Sequence, residues 1–326
     1  MPAMFIFRAI IAALLSLTGL IFPMPATAFD VAILKSSDLT YYNEAVAGAT
    51  HVLTADATIT VYNLHGNVTG GRSIAEKLRA EQPDLVIAVG LKAALAAKLE
   101  IFDSPVVVCM VMAPESYGFT AANFYGVSMQ PPVEHQLTSL RTSIPHARRV
   151  GLLYDERFTG PLLQSAALEA EKLGLHLVPA LIATPDDLPT ALRTLTPKID
   201  ALWLVQDQTV ISEASVRFIL ETTLDAKVPV FSFSTTLVQL GAFGALVVDG
   251  TDAGRQAGSI GKRLLRKEPI KGPRFARPEK TELALNLNVA SYLGLKPPDQ
   301  AVRSAGKIFS GPGNLAKREA SEALLP

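Results

Sequence analysis

PDLVIAVG, residues 83–90, and IDALWLV, residues 199–205, are two settings of one phrase. Each is an unbroken apolar block followed by a helical pattern and then by a second apolar block entered through proline. The second block is Ser104-Pro105-Val106-Val107-Val108 in one case and Val228-Pro229-Val230-Phe231 in the other. A strand with one wet face alternates apolar and polar residues, whereas a continuous block belongs to a strand buried on both faces, as in a parallel sheet covered by helices. Proline at the start of the second strand stands where a missing N–H costs least. One strand–helix–strand phrase in each half of the chain predicts two similar α/β lobes.

The same alternation continues outward. DVAILKSS, TITVYNLH, YGVSM, VGLLYDE and GALVVDG read as further strands, and LTYYNEAVAGATHVL, SIAEKLRAEQ and LKAALAAKLEIF as helices. ELALNLNVASYLGLKPP adds a late strand and helix. Asp186-Asp187 and Thr251-Asp252 are the expected caps of the helices that follow them, and Lys262, Arg263, Arg266 and Lys267 crowd the end where the dipole favours cations. Gly254 and Gly258 lie inside that last helix, so they point to close packing rather than to a phosphate loop, whose glycines precede a helix.

The chain has 326 residues, enough for two domains. It opens MPAMFIFR with Arg8 as the only charge, continues apolar through Phe22 and reaches the Ala26-Thr27-Ala28 triplet. That pattern predicts a secretory signal peptide over residues 1–28, cleaved after Ala28, and a soluble exported protein. The apolar run is short for a bilayer span, which needs roughly 20 residues. Thirty basic and thirty acidic side chains cancel, so nothing draws the chain toward nucleic acid. Cys109 is the only cysteine and sits in the apolar PVVVCMVM, which excludes an intramolecular disulfide and reads as a core position.

Catalytic signatures are missing: there is no G-x-S-x-G, H-E-x-x-H, Walker A or post-strand G-x-G-x-x-G. His51, His65, His135, His146 and His176 lack metal-ligand spacing, and no cofactor or metal is implied. What stands out instead is polar residues just past apolar strands, the place where open parallel sheets bind ligands. These are Ser36, Ser37 and Tyr42; Gly90, Leu91 and Lys92; Met112, with Ala113 beside it; and Ser128 and Gln130. In the second half they are Tyr154, with Asp155; Asp207 and Gln208; Ser232, Ser234 and Thr235; and Asp249. Competing readings are that Asp207 caps a helix entered through Thr209 and Ser212, and that Ser36 and Ser37 cap the helix at Tyr41.

PDLVIAVG, YGVSMQPPVEHQL, PHARRVGLLYDE, DALWLVQDQTV, KVPVFSFS and GAFGALVVDGTDAGRQAG, in this order and spacing, resemble the ABC-transporter substrate-binding proteins of the tryptophan/tyrosine-binding type. The resemblance covers about Val31 to Pro298. It implies a type I periplasmic binding protein: two Rossmann-like lobes with parallel sheets flanked by helices, linked by three hinge crossings and closing on ligand. Carried onto this chain, the lobes are 30–128 plus 250–278 and 129–249 plus 279–310, with a tail over 311–326. A membrane permease and its ATPase are the implied partners of a monomeric, periplasmic receptor. Family members that bind amino acids commonly carry acids where Ala113 and Ser234 stand here, which leaves Asp207 as the expected ligand acceptor. The alternative function is a periplasmic sensor that presents its closed form to a signalling receptor. An enzyme using Asp207 or Asp155 as base has no nucleophile or metal partner in the sequence to support it.

Overall fold

A computed structural model describes residues 28–310, so the expected signal peptide and C-terminal tail lie outside the described residues. The first five strands are β1 (Phe29–Lys35), β2 (Ala57–Asn63), β3 (Leu85–Val89), β4 (Val106–Val111) and β5 (Phe124–Ser128). The next five are β6 (Arg149–Tyr154), β7 (His176–Leu181), β8 (Ala201–Trp203), β9 (Val230–Ser232) and β10 (Gly244–Val248). Short β11 (Phe275–Ala276) precedes β12 (Thr281–Asn286) and β13 (Ala305–Phe309). They form two sheets, β11-β5-β4-β3-β1-β2 and β13-β12-β10-β9-β8-β6-β7, parallel throughout except where β12 runs against β10.

Each group of five winds in the order second, first, third, fourth, fifth. PDLVIAVG therefore supplies β3 and IDALWLV supplies β8, the equivalent strands of the two sheets. Their shared aspartates do the same job as well. The Asp84 carboxylate accepts the Asp30 N–H at 2.8 Å and that of Asp200 accepts the Arg149 N–H at 2.8 Å, pinning the start of the first strand to the third in each sheet. All five residues of β3 and all three of β8 are buried, as continuous apolar blocks require.

β7, β11 and β13 were not foreseen as strands. β7 is an edge strand carrying Pro179 and an exposed Leu181, and an edge is where a strand tolerates proline. β11 pairs only through Phe275 and Ala276, too short to leave a pattern in sequence.

The helix Gly250–Leu265 is capped by Asp249, two residues before the Thr251-Asp252 cap expected from sequence, its carboxylate accepting the Asp252 N–H at 2.9 Å. It lies against the helix Thr40–Leu53 with almost no space between the backbones. A Cβ on Gly254 would sit 1.9 Å from the Ala45 carbonyl oxygen, and one on Gly48 would sit 2.1 Å from that of Thr251. Close packing is thus the role of these glycines. Asp187 acts through a 3-10 turn, Pro185–Asp187, its carboxylate accepting the Thr184 N–H at 2.8 Å.

The chain passes between the sheets three times: after β5, after β10, and between β11 and β12. The last two passages touch where the Asp249 N–H donates to the Lys280 carbonyl at 3.2 Å. Buried Gln136 fixes the first, donating from Nε2 to the Pro131 carbonyl at 2.7 Å while its Oε1 accepts the Trp203 indole N–H at 3.2 Å.

Candidate functional site

The carboxyl ends of the two sheets meet at a pocket beside the first passage. Met112 and Ala113 come from the first sheet, Gln130 and Pro131 from the passage, and Gln136, Val205, Gln206 and Phe233 from the second sheet and its helices. Its enclosed room is about 30 Å³, and about 330 Å³ including the mouth. The end of β4 is bent into this pocket: its pairing with β5 slips between Val108 and Val111, and Met110 and Ala113 are non-glycine residues at φ 58° and φ 39°. Such left-handed positions cost energy and persist where surrounding structure imposes them.

The decisive polar group is Gln206, whose Oε1 is buried and has no hydrogen-bond partner. A buried acceptor left unpaired costs about 1–3 kcal/mol, and the residue that carries it is one of the side chains lining the pocket. Sequence reading missed it by choosing Gln208, which is exposed. The signal was present in the repeat. Counted from the shared Asp84 and Asp200, Gln206 stands opposite Gly90, the first residue past the strand.

Of the residues expected to touch ligand, Met112 lines the pocket. Several others are joined to one another in the first lobe. The Ser36 Oγ, 3% exposed, accepts the Ala93 N–H at 3.0 Å and so caps the helix Leu91–Glu100, whose own N-cap Gly90 has no side chain. That corrects the reading of Ser36 as cap of the helix at Tyr41, whose N-cap is Leu39. Gly90 is at φ +88°, and a Cβ there would lie 2.6 Å from the Ser36 Oγ and 2.7 Å from the Tyr42 hydroxyl. Tyr42 and Leu91 are core residues, and burial pushes the Tyr42 phenol above its usual range. Ser37 and Lys92 are half-buried on the same strand ends; the Lys92 ammonium pairs with no carboxylate among the described residues.

In the second lobe, Asp207 is not free to hold a ligand. Its carboxylate is 1% exposed and accepts four hydrogen bonds: Oδ2 from the Asp155 N–H at 2.8 Å and the Thr159 hydroxyl at 2.6 Å, Oδ1 from the Thr209 N–H at 2.8 Å and the Val210 N–H at 3.1 Å. It brackets the end of β8 to the end of β6, and Ser212, not Asp207, caps the helix Glu213–Asp225. Asp155 is likewise spent. The Arg157 guanidinium, with help from the Thr209 hydroxyl, holds its carboxyl well below the usual carboxylate range.

Tyr154 packs on the core around Trp203, and the buried Ser232 hydroxyl donates to the Gly244 carbonyl at 3.2 Å. Ser234 caps the helix Thr235–Leu240, accepting the Leu237 N–H at 3.2 Å, and half-buried Thr235 opens that helix. Asp249 caps the helix Gly250–Leu265 as described. Phe233, between Ser232 and Ser234, is the residue of this stretch that reaches the pocket. Among the described residues no cluster of three or more His, Cys, Asp or Glu side chains is placed to hold a metal, and no helix is long and apolar enough to cross a membrane.

Comparison with known proteins agrees with this architecture. A tyrosine-binding protein of Clostridioides difficile strain R20291 is 23% identical over 242 residues, covering 72% of this chain and 70% of that protein. An ABC domain from Streptococcus pneumonia in complex with L-Trp superposes with a TM-score of 0.62 at 19% identity, over 87% of this chain and 100% of that one. A ligand-free, open substrate binding protein with adhesive properties from Clostridium difficile gives 0.69 at 21% identity, again over 87% and 100%. The fold is that of the type I periplasmic binding proteins. Residues 52–309 match the family described as ABC transporter substrate binding protein, and the chain is a member of that family.

Proposed function

We propose that this protein is the solute receptor of an ABC importer, holding a small organic molecule between its lobes and delivering it to a permease driven by an ATPase. Gln206, which lines the pocket where the two sheets meet and whose buried Oε1 has no partner, carries the reading. The moving bodies are 30–128 with 250–278 and 129–249 with 279–310, turning about the passages after β5, after β10 and between β11 and β12. A receptor that closes and releases needs no catalytic group, and the two candidate bases, Asp155 and Asp207, are occupied by partners within the fold. The signal-like N-terminus supports a place in the periplasm.

Thermal unfolding in the presence of a broad library of small metabolites tests this directly. Binding stabilises by RT ln(1 + [L]/Kd), about 4 kcal/mol for a micromolar ligand at millimolar concentration. In a chain of this size that is a rise in Tm on the order of 10 °C. Silence across the library, with cooperatively folded protein, would remove the solute-receptor reading.

A further inference from the structure

We infer that the pocket selects an uncharged ligand, a cyclic amide of the kind shared by lactams and pyrimidine bases, rather than a zwitterionic amino acid. This rests on the reading of the cleft as a solute site and concerns only the class of solute. No acidic or basic side chain lines the pocket. An ammonium or carboxylate drawn into it would be stripped of water without a counter-charge, the most expensive form of burial. Ala113, which lines the pocket, brings no charge to it.

Asp207 and Asp155, at the strand ends of the second sheet, are engaged. Asp207 accepts from four donors, and Asp155 is held by Arg157 and Thr209. Glu44 and Asp249 both sit at the entry of the helix Gly250–Leu265, Asp249 as its cap and Glu44 with its carboxylate 2.9 Å from the position a Gly250 Cβ would take. A helix N-terminus is where a carboxylate is already satisfied. Lys92 stands outside the pocket lining.

The polar side chains that do line the pocket are three amides. Gln136 has both ends occupied, by the Pro131 carbonyl and the Trp203 indole. The Gln130 side chain makes no hydrogen bond within the described residues, its backbone N–H alone donating to the Ser128 Oγ at 3.1 Å. Gln206 has its Oε1 buried and unpaired. A primary amide offers an acceptor beside donors on one planar edge, and its complement is another edge of the same kind, as when glutamine pairs with a base edge. Phe233 and Met112 supply apolar, polarizable surface for a flat ring. Amide side chains not used up within the fold, beside the apolar surface of Phe233 and Met112 and with no charge, fit the recognition of a neutral amide-bearing ring.

Isothermal titration of the full protein with uracil, thymine and δ-valerolactam against L-tyrosine and L-tryptophan tests the class. At least one neutral ring is expected to bind tenfold or more tightly than either amino acid. Gln206→Leu should weaken that binding at least tenfold while melting at or above the parent temperature, because it removes an orphaned buried acceptor. Gln206→Glu should shift preference toward the amino acids. Tighter binding of tyrosine or tryptophan to the parent would overturn the inference and leave the solute-receptor reading intact. Silence toward all three neutral rings would overturn it too, with the library experiment deciding separately whether the cleft binds solutes at all.

Discussion

Asp207→Ala is expected to cost the second lobe about 4 kcal/mol, because it orphans a whole set of buried donors at once. The Asp155, Thr209 and Val210 N–H groups and the Thr159 hydroxyl all lose their acceptor, in a region closed to water. Asp207→Asn keeps the shape but turns an NH2 toward two of those donors, and should cost about half as much. Urea unfolding followed by tryptophan fluorescence reads this lobe specifically, since Trp203 is the only tryptophan and is fully buried beside β6 and β9. A variant as stable as the parent that instead lost ligand affinity would restore Asp207 to the role its sequence position suggests.

Gly254→Ala should destabilise by about 3 kcal/mol, against the direction that helix propensity predicts. In an exposed helix interior alanine gains up to about 1 kcal/mol over glycine. Here the new methyl would meet the Ala45 carbonyl oxygen at 1.9 Å and its carbon at 2.6 Å, backbone atoms that give way only if the two helices separate. Those helices are Thr40–Leu53, which leads from β1, and Gly250–Leu265, which follows the passage from β10, so separating them loosens the attachment of the second passage to the first lobe. Gly70→Ala is the matched control. Its added Cβ would meet Asn67 at an ordinary 3.5 Å, and the change should be neutral or stabilising in the same urea experiment.

The fold was legible because its informative strands are buried on both faces. PDLVIAVG and IDALWLV could be nothing but central parallel strands, and their equivalence correctly implied two lobes of one design. β7 and β13 escaped because edge strands are half wet and carry no continuous apolar block. At the strand ends, most of the polar side chains that the sequence singles out are used within the fold. Ser36, Ser234 and Asp249 do sit at strand ends, and each is consumed in capping a helix there.

A hydroxyl or carboxylate at a strand-to-helix turn is drawn to the free N–H groups of that helix before any ligand arrives. An amide such as Gln206 competes less well for that job, and its Oε1 is left without a partner at the pocket lining. Sequence shows where the turns are; which polar groups remain unspent after capping is settled only by the backbone geometry. The same distinction separates Asp207 from Gln206, neighbours in the chain with opposite hydrogen-bond states.

The central claim is that a small molecule is held between two lobes that close on it. Spin labels at Leu99→Cys and Leu168→Cys, exposed positions on helices of the first and second lobe, read that motion as a distance. The native Cys109 does not interfere, being fully buried with its thiol pushed up to about 12. With the compound that most raises the melting temperature, the inter-label distance distribution should shift and narrow to a single closed population. Saturating, heat-detected binding that leaves the distribution unchanged would contradict the claim.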